Sequence, residues 1–399
     1  MKSPDYAVRD SHKLPLSISH ITSGFIAVLV GYTSSVAIVF QAATTAGATD
    51  AQLASWMWAL GIGCGITSIL LSLYYRSPIL TAWSTPGAAL LVTGLAGYSM
   101  EQAIGIFMMT SGLITFAGMT GVFQRLMQLI PAHLAAAMLA GILLRFGLNA
   151  FAGLQTAPLL VGVMLAAWLM GRLMLPRYSV PIALISGLSC ATLQGNLPLD
   201  EISLVATSPT LMVPEFTWQG LVGVSIPLFI VSMTSQNIPG LATLRAHGYT
   251  PSAGPLVSWT GATGVLFGPL GGFSYNLAAI TAALCMNPDV DPVPARRFMA
   301  AIWSGFFYIG TGILGATVVA LFAAFPGELV AAIAGIALFG TLASSLATAL
   351  HQESGPEAAI VTFLCTASGM TLMGIGSAFW GLAAGLIVHH SVRRRAGTT

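Results

Sequence analysis

The stretch TAWSTPGAALL, residues 81–91, decides how this chain is read. Ser84 or Thr85 can cap free backbone N–H groups, and Pro86 suits the first helical position, where its missing N–H leaves nothing unpaired. The small and apolar residues that follow favour helix. A helix start is ordinary in a soluble protein, but here the flanking residues on both sides are also apolar.

Composition sets the class. Of 399 residues, 56% are hydrophobic and 7% charged, against roughly 25% charged in an ordinary soluble domain. Apolar runs of about 20 residues, enough to cross a ~30 Å hydrocarbon core, recur from Ile21 to beyond Leu386 with short breaks. The chain reads as an all-α polytopic membrane protein with no room for a soluble domain. Its start, MKSPDYAVRDSHKLPL, lacks the pattern of a signal peptide, so the first span is expected to stay. Cys64, Cys190, Cys285 and Cys365 lie at wide spacing inside apolar runs and read as small packing residues, with no disulfide or metal role.

Spans are expected near 20–45, 52–74, 78–97, 102–123, 131–152, 157–175 and 179–194. After the polar linker NLPLDEISLVATSPTLMVPEFT, seven more are expected near 218–243, 253–268, 270–286, 297–322, 327–350, 356–373 and 375–391. Several are short and several touch, so hydropathy by itself supports 12 as well as 14. Charge favours 14, because Lys and Arg gather in cytoplasmic loops. Lys2, Arg9, Lys13, Arg76, Arg125, Arg172, Arg177, Arg245, Arg296, Arg297 and Arg393 to Arg395 then share one side, leaving Arg145 as the exception among 14 basic residues. Both termini are expected in the cytoplasm.

The halves, 1–205 and 206–399, echo each other. GYTSSVAIVFQAATTAGAT (31–49) sets against SMTSQNIPGLATLRAHGYT (232–250), and WSTPGAA (83–89) against FSYNLAA (273–279). Each repeat has an odd number of spans, so the second enters the membrane inverted. Interrupted helices at equivalent places in such repeats point to a binding site near the midplane. Half-helices starting near Pro86 and Asn276 would aim two positive ends at one cavity, which attracts an anion. The competing reading of Pro86 is a kink bridged by neighbouring helices. Ser274 and Asn276 as caps, after Gly271 and Gly272, favour the paired half-helices.

TAWSTPGAALL, AAAMLAGILLRFG, SQNIPG and ASGMTLMGIGSAFWGL resemble the benzoate-proton symporter (BenE) family over essentially the whole chain. That family is similar to the larger group of uracil and anion transporters with 7+7 inverted repeats. The resemblance implies spans 1–4 and 8–11 as a core domain and spans 5–7 and 12–14 as a gate domain. It also implies short extended segments before the half-helices of spans 3 and 10, with substrate between them and alternating access by movement of core against gate.

Nucleobase carriers of that group carry one Glu in span 8 and another just before an Asn in span 10. Here Gln236 and Tyr275 stand in those places, with Asn276 retained. All 12 acidic residues lie in termini, loops or span ends, so no fixed negative charge would repel a carboxylate. For benzoate, the N–H groups near Gly87 and Leu277 and the hydroxyls of Ser84, Thr85 and Ser274 are candidate donors. Trp83, Phe273 or Tyr275 would face the ring. Gln236 and Asn237 are polar residues in an apolar span, placed either in the cavity or in helix–helix hydrogen bonds.

Arg145 either snorkels to the outer surface or charges the entrance. GTGILG (310–315) has the letters of a dinucleotide fingerprint without its strand, and reads as close helix packing. The histidines fall near span ends and read as interfacial; the RRR tail sets topology or touches anionic lipid. No HExxH, GxSxG or embedded acidic pair suggests an enzyme, and no catalytic residue, metal or cofactor is expected. The expected partners are benzoate or a similar small organic anion, protons and the bilayer of the inner membrane, with a homodimer left open and no nucleic acid. A carrier of inorganic or dicarboxylate anions, or an anion channel, is the alternative. The proton travels either on the substrate or through a group near His351, Glu353 and Glu357.

Overall fold

A computed structural model describes residues 17–121, 131–195, 197, 204–351 and 356–396. Lys2, Arg9, Lys13, Arg125, Glu353 and linker residues 196 and 198–203 lie outside them, as do the side chains of Arg177 and Arg393 to Arg395. In chain order the helices are α1 (Ile18–Thr33), α2 (Val36–Thr45), α3 (Asp50–Tyr75), α4 (Thr85–Gly94), α5 (Met100–Thr120), α6 (Ala132–Thr156), α7 (Pro158–Met174) and α8 (Ser179–Leu193). The second half holds α9 (Trp218–Ala246), α10 (Ala253–Phe267), α11 (Ile280–Met286), α12 (Phe298–Ile313), α13 (Gly315–Ala323), α14 (Gly327–Leu350), α15 (Pro356–Ala367) and α16 (Ser377–Ala396). Strands β1 (Thr81–Trp83) and β2 (Tyr275–Leu277) form one two-stranded sheet, and β3 (Thr371–Leu372) and β4 (Ile375–Gly376) a second.

Six described helical stretches are long and apolar enough to cross a membrane, with α1 and α2 counted together as Ile18–Thr45, or seven if the pair bent by 65° at Leu314 is also taken as one span. Local chemistry sets several of their starts. Thr49 with Gln52 and Ser99 with Gln102 form capping boxes at α3 and α5, satisfying free N–H groups in both directions. The first span is not one helix: α1 stops at Thr33, and Ser34 and Ser35 turn their hydroxyls back onto Gly31 O.

α3 packs along α12, α5 along α10, and α1 against α11 and α12; α6 packs against α14 and α15, and α15 against α16. The α3–α12 contact is close because glycine meets glycine. A Cβ on Gly61 would lie 2.5 Å from the Cα of Gly312, and one on Gly65 2.5 Å from Gly305 O. GTGILG is thus a helix contact, as its lack of a strand suggested.

The linker has a use that composition did not reveal. Its described part, from residue 204, is a strap across the helix ends. Thr207 donates its N–H to Ile313 O at 2.8 Å, and its hydroxyl accepts from Ala316 N at 2.7 Å. The strap therefore supplies partners for the backbone exposed where α12 breaks into α13. Glu215 N donates to Glu101 O at 2.8 Å further along.

His20 corrects the interfacial reading of the histidines. It is fully buried, with Nε2 3.3 Å from Asp291 Oδ2. Beside it the buried Arg297 donates to Asp291 O at 2.7 Å and Met286 O at 2.9 Å, tying the end of α11 to the start of α12.

The glycine contact yields a paired test. Gly61→Ala should lower stability by about 1–3 kcal/mol through overpacking. Gly310→Ala, where a Cβ meets nothing within 4 Å, should be neutral or stabilising by up to about 1 kcal/mol. Thermal melting in detergent measures both, and equal melting temperatures would remove the α3–α12 contact as a determinant of packing.

Candidate functional site

The site starts from a backbone problem. Residues 77–84 leave helical structure inside an apolar interior, where each unpaired N–H or C=O costs several kcal/mol. Hydroxyls on α3 supply part of the answer. Ser72 donates to Ile79 O at 2.9 Å and accepts from Ile79 N at 3.1 Å, Ser68 accepts from Thr81 N at 2.9 Å, and the Thr81 hydroxyl donates to Cys64 O at 2.9 Å. The rest comes from β2, paired antiparallel with β1 in the register Thr81–Leu277, Ala82–Asn276 and Trp83–Tyr275. Ser84 N to Ser274 O at 3.1 Å and Ala278 N to Leu80 O at 2.9 Å extend the ladder.

Directly after β1, Ser84 caps α4 by accepting from Gly87 N at 2.9 Å. Thr85 is the first helical residue and Pro86 the second, one place later than the sequence suggested. The other half-helix departs further. Tyr275–Leu277 are strand, and α11 begins at Ile280 without a side-chain cap. The start near Asn276 fails because the ladder to β1 takes that backbone. Ser274 and Asn276 therefore cap no helix. The proposed donors are occupied too: Gly87 N–H by Ser84 Oγ, and Leu277 N–H by Asn237 Oδ1 at 3.0 Å.

Behind the strands lies a closed polar network. Asn237 Nδ2 donates to Asn276 Oδ1 at 2.9 Å, Asn276 Nδ2 donates to Ser274 Oγ at 3.1 Å, and the Ser232 and Ser274 hydroxyls are bonded to each other. All four side chains are buried. Ser274 holds φ +47°, a left-handed conformation uncommon outside glycine. Gly271 before it has φ +92°, and a Cβ there would fall 1.9 Å from the Trp56 ring. Tyr275 donates its hydroxyl to Ala59 O at 2.7 Å, and Phe273 packs against Trp56 and Phe107. Neither of these rings lines the cavity.

In front of the strands is a cavity of about 760 Å³ between α1, β1, α4, α9 and α11 on one side and α7, α8 and α14 on the other. That volume is within the usual range for a small-molecule site. Thr85 and Pro86 bring the N-terminus of α4 to its wall. Trp83 also lines it, its indole N–H donating to Ser35 Oγ at 2.8 Å and its ring set edge-on to Tyr32 at 5.4 Å and Tyr308 at 5.7 Å. Opposite are Trp168 and Phe339, edge to face at 5.3 Å. Arg172 is the one charged residue among the described residues of the lining.

A π-turn, Met233–Asn237, carries Gln236 and Asn237 within α9. Gln236 stands in the cavity wall, half-buried and without a side-chain hydrogen bond among the described residues, while Asn237, pointing about 100° away around the helix, serves β2. Such insertions in helices often accompany functional positions. Of the ten residues nominated from the sequence, Trp83, Thr85 and Gln236 line the cavity. Ser84, Gly87, Asn237, Ser274, Asn276, Tyr275 and Phe273 support it from behind. Sequence reasoning missed Arg172, read there as a topology marker, and Trp168, Tyr308 and Phe339, which nothing distinguishes from other apolar-span aromatics. Among the described residues no group of three or more His, Cys, Asp or Glu could hold a metal.

Known proteins place this arrangement. The chain is 49% identical over 365 residues to the inner membrane protein YdcO of Escherichia coli (strain K12), covering 92% of this chain and 93% of that protein. It is 38% identical over 373 residues to the benzoate membrane transport protein of Acinetobacter baylyi, covering 94% and 95%. Its fold is similar to SLC26A9, with TM-score 0.66 and 12% identity, over 94% of this chain and 65% of that one. It is also similar to the transmembrane domain of the cyanobacterial bicarbonate transporter BicA, with TM-score 0.58 and 14% identity, over 93% and 96%. The BenE family model, benzoate membrane transport protein, matches residues 14–391, and the chain belongs to that family.

Proposed function

We propose that this protein is a secondary active transporter that carries benzoate or a related aromatic carboxylate together with a proton across the inner membrane. The observation that carries this reading is one cavity. It joins the N-terminus of α4, Arg172 and the amide of Gln236 to a wall of Trp83, Tyr308, Trp168 and Phe339, with no Asp or Glu among the described residues of the lining. Positive potential and a neutral amide suit a carboxylate, and facing aromatic walls suit a flat ring. The same walls disfavour the alternative of an inorganic or dicarboxylate anion, which gains nothing from apolar surface. The name of the 38%-identical relative supports the substrate class.

In this reading the broken and short helices count as spans beside the long ones, giving 14 in two inverted repeats, with both termini in the cytoplasm. Spans 1–4 and 8–11 form the core and spans 5–7 and 12–14 the gate. The packing of α1, α3, α5, α10 and α12 among themselves, and of α6, α14, α15 and α16 among themselves, supports that division. The cavity lies between the groups, so a rocking motion would open it to either side in turn. Among the described residues no His, Asp, Glu or Lys lines it. Thus, of the two proton routes, the one in which the proton rides on the substrate is favoured over one through His351 or Glu357.

Reconstituted protein should take up labelled benzoate faster when the outside is acidified, with unlabelled benzoate competing and uracil not. Competition by uracil at similar concentration would overturn the substrate, and channel-sized unitary currents in bilayers would overturn the transporter.

Gln236→Glu sets a carboxylate against the substrate's, and two unit charges 4 Å apart repel by about 4 kcal/mol at an effective dielectric of ~20. Benzoate binding should fall sharply at neutral pH and return as acidification neutralises the new group. Gln236→Leu should lose less at neutral pH and show no return on acidification. Parental binding by Gln236→Glu at every pH would make Gln236 a packing residue.

Asn237→Leu should behave differently. It strips the buried Leu277 N–H and Asn276 of partners, at about 1–3 kcal/mol for each group left unsatisfied, so its melting temperature should drop while that of Gln236→Leu stays near the parent's. Equal melting temperatures would contradict the assignment of Asn237 to the support of β2 and of Gln236 to the cavity.

A further inference from the structure

α4 has a cavity at each end. The second, about 650 Å³, meets its C-terminal half at Leu90, Thr93 and Gly94 and is bounded by α6, the start of α9 and the β3–β4 hairpin. The carbonyl end of a helix repels anions, so this chamber should be hostile to a carboxylate unless a cation offsets it. One does. Arg145 is the only charged residue among the described residues of its lining. Glu215 stays outside the lining and accepts from Gln102 Nε2 at 3.0 Å.

Arg145 is exposed to the chamber and braced from one side. Nη2 donates to Ser368 O at 3.3 Å, and the guanidinium lies over Gly369, whose φ is +66° and where a Cβ would come within 2.6 Å of Nη2. The rest of the planar donor fork has no protein acceptor among the described residues. Asn149 and Gln219 add neutral amides to the same wall. An arginine that merely snorkelled would face headgroups, whereas this one lines a cavity bounded by α6 and the start of α9.

We propose that this chamber is a second anion site, in which Arg145 captures a carboxylate through its planar fork and holds it before transfer to the site at the N-terminus of α4. The proposal rests on the reading of the protein as an organic-anion carrier, and its test separates the two.

Phenylglyoxal modification of Arg145, followed by peptide mass spectrometry, reads the site without transport. Benzoate should slow the reaction at Arg145 at least fivefold in the parent and equally in Gln236→Glu at neutral pH, where the other site is disabled. Sodium chloride at the same ionic strength should slow it less than twofold. No slowing by benzoate, slowing matched by chloride, or slowing lost in Gln236→Glu would each overturn the proposal. In liposomes, Arg145→Gln should lower kcat/KM for benzoate at least fivefold and flatten its rise at low salt, because screening weakens long-range attraction. Arg145→Lys should keep the salt dependence. Parental kcat/KM in a monodisperse Arg145→Gln protein would also overturn the proposal. Should the parent move no benzoate while Arg145 stays protected, the transport reading falls and the site stands.

Discussion

Two short strands in an apolar interior govern this structure. Interrupting a helix there exposes backbone N–H and C=O groups that water cannot reach. The pairing of Thr81–Trp83 with Tyr275–Leu277 satisfies them across nearly 200 residues of sequence and fixes both half-helices relative to each other. The hydroxyls of Ser68, Ser72 and Thr81 satisfy the groups the ladder leaves over. The linker does the same at the second break, where Thr207 serves Ile313 and Ala316.

This constraint divides polar residues into two kinds. Ser84, Ser232, Asn237, Ser274 and Asn276 are committed to backbone or to one another. They hold the strands in place and have little left to offer a ligand. Thr85, Gln236 and Arg172 stand on the cavity side. A buried network of this sort is stable only when every member is satisfied. That makes the residues behind the strands sensitive to change even though they do not line the cavity.

The break also gives the field its direction. A continuous helix would carry its positive end to the surface, whereas α4 ends it at the wall of the central cavity, with its negative end toward the second chamber. One arginine lines each cavity, Arg172 at one and Arg145 at the other. Both belong to helices outside the group that carries the strands. Movement between the two groups would therefore change where each guanidinium stands relative to α4.

The sequence by itself determined the membrane class, because 7% charge over 399 residues leaves no surface suited to water. It also determined the start of α4, since Ser84 and Pro86 act within a few residues of each other, and the confinement of acidic residues to termini, loops and span ends. The helix-packing use of GTGILG was legible for the same local reason, whereas the extended segment before α4 was implied only by the family resemblance. Tertiary structure decided the rest. Asn276 sits in a strand because its partner, Ala82, comes from the other half, and no local pattern reveals a two-stranded ladder three residues long. Gln236 and Asn237 are neighbours in sequence with opposite roles because consecutive helical residues point about 100° apart, and only the packing of α9 decides that one side meets the cavity and the other β2. Trp168, Phe339 and Arg172 reach the cavity only through the packing of α7 and α14, and a side chain's neighbours across a helix interface are not written in its own segment.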